Sequence, residues 1–172
     1  MRAHTLLGLD LSVRAAAAVS VPLDFDGDFA RVHSMVVGAA LKRSATDAER
    51  VARAESIARS IVAFALRQGA TEAWFESPAY SRNTSMHTLG ALYGVVALEL
   101  VRAGVSIHTA PMASARKLLL GKVPRKDVKV AVYQALRAAG ARFETMDESD
   151  AYCAANWACS ERGGYTLAME AA

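Results

Sequence analysis

One carboxylate set in an apolar run limits what this chain can become. Thr5-Leu6-Leu7-Gly8-Leu9-Asp10-Leu11-Ser12 reads as a central β-strand that carries an acid. Side chains alternate along a strand, so Leu7, Leu9 and Leu11 share one face while Leu6, Gly8, Asp10 and Ser12 share the other. A half-buried carboxylate is costly to keep charged without a cationic partner. The strand holds no lysine or arginine, and a bound divalent cation would serve. A solvated acid at a strand end is the competing account, and Asp10 alone does not separate the two.

Around that strand the chain alternates between the two periodicities. A meander of three strands comes first, Leu6–Leu11, Ala15–Val21 and Phe29–Val37, with turn signals at Pro22 and Asp24-Phe25-Asp26-Gly27-Asp28. Val51, Ala54, Ile57, Ala58, Ile61, Val62 and Ala65 then recur at helical spacing up to Gly69, a C-cap candidate. Thr71–Glu76 and Val105–Thr109 are the fourth and fifth strands, separated by the apolar helix Ser85–Ala103. A short helical turn from Pro111 to Leu120 and helices over Lys126–Ala138 and Asp147–Cys159 complete the order. The result is an α/β domain with a mixed five-stranded sheet flanked by helices, its later strands joined by crossovers long enough to run parallel. At 172 residues, with no repeat, linker or low-complexity stretch, 1–172 is read as a single domain able to bury a real core.

The Ser85–Ala103 helix is polar almost nowhere, which implies burial on more than one side. Gly90 and Gly94, four apart, would admit another backbone. One side suits the sheet and the other a subunit interface; a helix enclosed wholly by its own chain is the alternative. Its apolar stretch, Met86–Val101, carries His87 and Glu99 and is shorter than the ~20 residues of a membrane span. Without an apolar leader segment, the expectation is an intracellular, cytoplasmic protein. Cys153 and Cys159 are too few for a disulfide framework and do not share a helix face, so packing is their expected role.

Charge is uneven. From Ala113 to Arg142 the chain carries Arg116, Lys117, Lys122, Arg125, Lys126, Lys129, Arg137 and Arg142 against the single acid Asp127. A polyanion partner would explain this run; so would a solvated basic helix face.

Three further acids join Asp10. Glu76 ends the strand Glu72-Ala73-Trp74-Phe75-Glu76 before a loop, where a side chain can face a cleft. Asp147 and Asp150 lie three apart at a helix start and share a face, although acids there also complement the helix dipole. If the strand of Glu76 lies beside that of Asp10, two carboxylates meet and the last helix can bring two more. Four clustered carboxylates need cations, and an all-oxygen ligand set favours Mg²⁺ or Mn²⁺ over zinc. Two such ions can hydrolyse a phosphodiester without a nucleophilic side chain or a histidine base. Consistently, His4, His33, His87 and His108 show no metal-ligand spacing.

In order along the chain, Gly8-Leu9-Asp10-Leu11-Ser12, Phe75-Glu76-Ser77, the lysine-rich segment after Gly121, and Asp147-Glu148-Ser149-Asp150-Ala151-Tyr152-Cys153-Ala154-Ala155 resemble the RuvC family of Holliday junction resolvases. The resemblance runs from Leu6 to Ala158. It implies an RNase H-like fold, a homodimer, Mg²⁺ dependence with Mn²⁺ as substitute, and paired nicks in a four-way DNA junction. It implies that Asp10, Glu76, Asp147 and Asp150 are the metal-binding catalytic acids. Lys126 looks like the family's lysine after the glycine loop, and Arg116 or Lys117 like the basic residue before it. With Lys122, Arg125 and Lys129 these form the expected DNA-binding set, joined by Tyr80 as an aromatic that stacks on an exposed base. The chain departs from the family pattern at Leu11 and Ser12, where proline and glycine are common. It departs again in a Gly121-to-Lys126 interval shorter by one residue, and in the position of the loop aromatic, Tyr80 or His87.

The same residues admit other functions. A relaxed nuclease cutting flaps, forks and replication intermediates would use the same acids with different loops. A non-catalytic junction-binding module should lack one or more acids, and all four are present. The Gly8–Ser12 segment also looks like the first phosphate motif of actin-like sugar kinases, which need a second such motif and a longer chain.

Overall fold

The computed structural model describes residues 4–12, 14–38, 41–42, 44–76, 85–122 and 126–169, with 85–87 by backbone alone. The elements are strands β1 (Thr5–Leu11), β2 (Ala16–Pro22) and β3 (His33–Val37), helix α1 (Asp47–Gln68), strand β4 (Ala70–Phe75), helix α2 (Ser85–Arg102), strand β5 (Ser106–Thr109) and helices α3 (Met112–Leu120), α4 (Val128–Ala138) and α5 (Met146–Glu161). Their order is the one expected, and they form a mixed five-stranded sheet, β3-β2-β1-β4-β5. β1 pairs antiparallel with β2 and parallel with β4, and β4 pairs parallel with β5.

The third strand differs from expectation. Phe29–Val37 is broken: Phe29–Arg31 is a 3-10 turn, and only His33–Val37 joins the sheet. The cause is Asp28, whose carboxylate accepts the N–H of Ala30 at 2.9 Å and starts a turn where apolar residues alone suggested a strand. The segment after Pro111 is a full nine-residue helix, and Lys126 lies just before α4 rather than within it.

Alternation along β1 sorts the core into two faces. Leu7 and Leu9, with Ala16, Ala18, Ala73 and Phe75, meet Ile57, Ile61 and Phe64 of α1 and Leu92, Val96 and Leu100 of α2. Leu6, Ala17, Val19 and Trp74 face α5, which in turn is covered by Met112, Ala115 and Leu119 of α3 and Val132 and Leu136 of α4. α5 is thus buried nearly all round, and it is built of small residues: Ala151, Cys153, Ala154, Ala155, Ala158 and Cys159 are all fully buried. Both cysteines are free, and burial pushes the Cys159 thiol up to about 12.

Gly8 explains how close α5 comes. A Cβ there would lie 1.9 Å from the carbonyl oxygen of Ala151 and 2.6 Å from the amide nitrogen of Ala155, both backbone atoms. Only a residue without a side chain lets the helix rest on the strand at this point.

Helices α1 and α5 both begin with reciprocal caps. Thr46 and Glu49 form a capping box on α1, and Thr145 and Glu148 form another on α5. α1 ends on Gly69 in the left-handed conformation, as its sequence implied.

α2 is covered on one side only. Leu92, Val96, Ala97 and Leu100 are buried, whereas Gly90, Ala91, Gly94, Leu98 and Val101 form an exposed stripe of small and apolar residues. Leu98 is 49% and Val101 53% exposed, and among the described residues nothing beyond the helix's own neighbouring backbone stands within 4 Å of where a Cβ would be on Gly90 or Gly94. The alternative of a helix enclosed by its own chain does not hold among the described residues. No described helix is long and apolar enough to cross a membrane.

Candidate active site

The parallel pairing of β1 and β4 does the first part of the assembly. Leu9 is in register with Phe75, so the next residues, Asp10 and Glu76, emerge side by side at the same edge of the sheet. Asp10 lies on the α5 face of β1, as the alternation required, and its side chain is 16% exposed. Glu76 is exposed, and its charge is one of those that favour the cationic form of Arg116.

α5 completes the group from the side. Its capping box fixes the first turn: Glu148 accepts the N–H groups of Glu144 and Thr145 at 2.9 and 2.8 Å, and the hydroxyl of Ser34 on β3 donates to its other oxygen at 2.7 Å. Glu148 is therefore a buried strut between the sheet and the helix start, holding Asp147 on one side and Asp150 on the other. Asp150 points inward, 2% exposed, and Asp147 outward, 37% exposed.

Two cations enter this acid cluster. Arg116 of α3 donates two parallel hydrogen bonds to Asp150, Nε to Oδ1 at 2.9 Å and Nη2 to Oδ2 at 2.8 Å. Lys129 of α4 places its Nζ 2.7 Å from Asp150 Oδ2, 3.3 Å from Asp10 Oδ2 and 3.5 Å from Asp147 Oδ1. The pairing cation that β1 lacks thus comes from α4. Burial works against the charge on Lys129 but is outweighed by Asp150, Asp10 and Asp147, which hold it above the usual lysine range. Asp10 moves the opposite way from a paired carboxylate: desolvation, aided by the charges of Asp150 and Asp147, outweighs Lys129 and pushes it up to about 6.

The residues expected to act on DNA divide into two groups. Lys117, Lys122 and Lys126 are exposed. Arg116 and Lys129 face protein carboxylates instead. Their positions carry a signal in the sequence: Arg116 shares the buried stripe of Met112, Ala115 and Leu119, and Lys129 that of Val132 and Leu136, at helical spacing. A cation on an apolar stripe needs a buried acid. Tyr80 and Arg125 lie outside the described residues, as does the side chain of His87.

The donor set of the acids is carboxylate oxygen throughout, which suits a hard divalent ion. Three of the four already converge on one cationic point, so the residues fit Mg²⁺ or Mn²⁺ in kind and direction. Among the described residues no three His, Cys, Asp or Glu side chains are grouped so as to hold a metal as they stand, and Lys129 lies among three of the acids.

The overall fold recurs in known structures. No family model and no curated protein sequence matches this chain. Solved structures do match in fold, two RuvC structures among them. One is described as T. thermophilus RuvC in complex with Holliday junction substrate: TM-score 0.66, 18% identity, covering 94% of this chain and 96% of that one. The other is the Thermus thermophilus RuvC structure: TM-score 0.64, 19% identity, covering 93% and 97%. The chain therefore has the RuvC-type, RNase H-like α/β fold over nearly its whole length.

Proposed function

We propose that this protein is a divalent-metal-dependent endonuclease that resolves four-way DNA junctions by paired nicks. The observation that carries the reading is the convergence of Asp10, Asp147 and Asp150 on a single cation, with Glu76 beside Asp10 on the neighbouring strand. The fold supports it, since one of the matched proteins was captured with a Holliday junction.

In this reading Asp10, Glu76, Asp147 and Asp150 are the ligands, and their rigid mounting on β1, β4 and α5 is the protein's share of catalysis. Bound Mg²⁺ would supply polarisation of water and of the scissile phosphate. Arg116 orients Asp150 by holding both its oxygens. Exposed Lys117, Lys122 and Lys126 hold the phosphate backbone near the acids, which positions DNA without reading sequence. Paired nicks need two such sites. We assign the exposed Gly90–Ala91–Gly94–Leu98–Val101 stripe of α2 to a homodimer interface, where the two glycines admit a second helix closely.

The test is cleavage of a synthetic immobile four-way junction beside a flap, a fork and linear duplex, with Mg²⁺, Mn²⁺ or EDTA, using wild type and Asp10→Asn. Metal-dependent nicking confined to the four-way junction, lost in Asp10→Asn with junction binding retained, supports the reading. Equal cutting of flaps and forks would make it a relaxed branched-DNA nuclease. Binding with no cutting would leave a non-catalytic junction-binding module. Light scattering of wild type and Leu98→Arg reads the dimer, which the arginine should split.

A further inference from the structure

We propose that Lys129 is a resident counter-cation of the acid cluster, and that a divalent ion enters the site by displacing its ammonium group. The proposal rests on the nuclease reading above and adds a step of regulation to it, in which the metal-free site is held closed by the protein's own charge.

The geometry is that of a cation site already filled. Nζ lies within 3.5 Å of carboxylate oxygens from Asp10, Asp147 and Asp150, that is, from both β1 and α5. An ammonium contacts such oxygens at ~2.7–2.9 Å, whereas Mg²⁺ draws them to ~2.0–2.1 Å. The two cations cannot share the point where the three carboxylates meet. One must leave, and only one is free to.

The two protein cations differ in how they are held. Arg116 is 17% exposed and grips Asp150 through two parallel bonds. It is a fixture. Lys129 is 44% exposed and reaches the acids along a flexible stem, from a helix that is anchored separately by buried Val132 and Leu136. Rotation about its own bonds can carry the ammonium into solvent while α4 stays in place. Electrostatics favours the exchange: Lys129 and Arg116 together neutralise only part of the charge of four carboxylates, and a divalent ion supplies more than the ammonium it replaces. Without Lys129, the same carboxylates would repel across the β1–α5 contact in the metal-free protein.

Three partly exposed ion pairs are together worth on the order of a tenfold change in the affinity of a competing cation. Mn²⁺ uptake, read by electron paramagnetic resonance of the free ion without DNA, should therefore be about tenfold tighter in Lys129→Met than in wild type. Arg59→Met, which removes an exposed charge of α1 on the opposite face of the sheet, should change it little. Lys129→Met should also melt at a lower temperature in EDTA and recover with Mn²⁺. Because that variant can be too unstable to purify without metal, the wild-type protein gives a second reading. Acetylation of Lys129 relative to Lys117, followed by mass spectrometry, should speed up several-fold when Mg²⁺ replaces EDTA.

Mn²⁺ affinity in Lys129→Met equal to or weaker than wild type overturns the proposal, as does Lys129 acetylation that Mg²⁺ leaves unchanged or slows. If that happens while wild type still binds Mn²⁺ and cuts junctions, only the displacement is lost and the nuclease reading stands. If neither protein takes up Mn²⁺, both fall together.

Discussion

Replacing Gly8 with alanine tests the contact on which the whole site is mounted. The new Cβ would sit 1.9 Å from the Ala151 carbonyl oxygen, 2.6 Å from the Ala155 nitrogen and 3.0 Å from the Ala151 carbonyl carbon. None of these is the tip of a side chain that can swing aside. A carbon and an oxygen approach to ~3.3 Å without strain, so α5 must withdraw from β1 by roughly 1.4 Å or the strand must bend. Overpacking of this kind costs about 1–3 kcal/mol and sometimes more, and backbone on both sides puts Gly8→Ala at the upper end. For a chain of this length each kcal/mol lowers the melting temperature by ~2–4 °C, which gives a drop of roughly 6–12 °C. The same movement separates Asp10 on β1 from Asp147 and Asp150 on α5. A misplacement of about 1 Å can cost ~100-fold in rate. Thermal melting followed by circular dichroism in EDTA, with junction cleavage measured below the transition, reads both effects. A Gly8→Ala protein that melts within about 1 °C of wild type would show that α5 does not rest on β1 as described.

Arg116→Met leaves Asp150 buried with Lys129 as its one remaining cation, and breaking a buried pair costs ~3–5 kcal/mol, here toward the low end; urea denaturation should show it, and unchanged stability would make Arg116 a surface DNA contact after all. In EDTA, the Asp10 carboxyl at about 6 in the folded chain stands above its unfolded value, so the folded state keeps its proton longer. Stability should fall as pH rises from ~4 to ~6 and level off above, by up to about 3 kcal/mol. Asp10→Asn should lose that component of the slope, and identical pH profiles for the two proteins would count against the shift. Lys122→Ala and Lys126→Ala should each weaken binding to all DNA alike and make the salt dependence of log affinity shallower by ~0.9; a change confined to one junction sequence would point to base contacts instead.

What could be read from the sequence follows the range of each interaction. The face carrying Asp10 came from strict alternation, whereas the nearness of Glu76 was a condition left open until the parallel pairing of β1 with β4 met it. The sharing of a face by Asp147 and Asp150 came from their spacing of three. The two faces are consequences of backbone period, which a sequence displays directly. The 3-10 turn at Phe29–Arg31 was hidden because a single side-chain cap from Asp28 overrode an apolar pattern. Arg116 and Lys129 were read as DNA-facing members of a basic run, Arg116 also through the family resemblance, since charge counting ignores direction. Their places on the apolar stripes of α3 and α4 held the missing information. The strut from Ser34 to Glu148 joins residues far apart in the chain, and no local pattern announces such a pair.

The order in which α5 arrives has a consequence for synthesis. Asp10 lies on β1 and Asp147 and Asp150 on α5, and β1 is synthesised well before α5. A nascent chain that has made every strand still lacks Asp147 and Asp150, and leaves Leu6, Ala17 and Val19 bare on the face that α5 will cover. Such a chain holds only part of the acid cluster. It also has an uncovered apolar sheet until its final helix lies across Gly8. Assembly of the fold and completion of the acid cluster are therefore one late event, and a chain truncated before α5 would lack two of the four acids and be prone to aggregate.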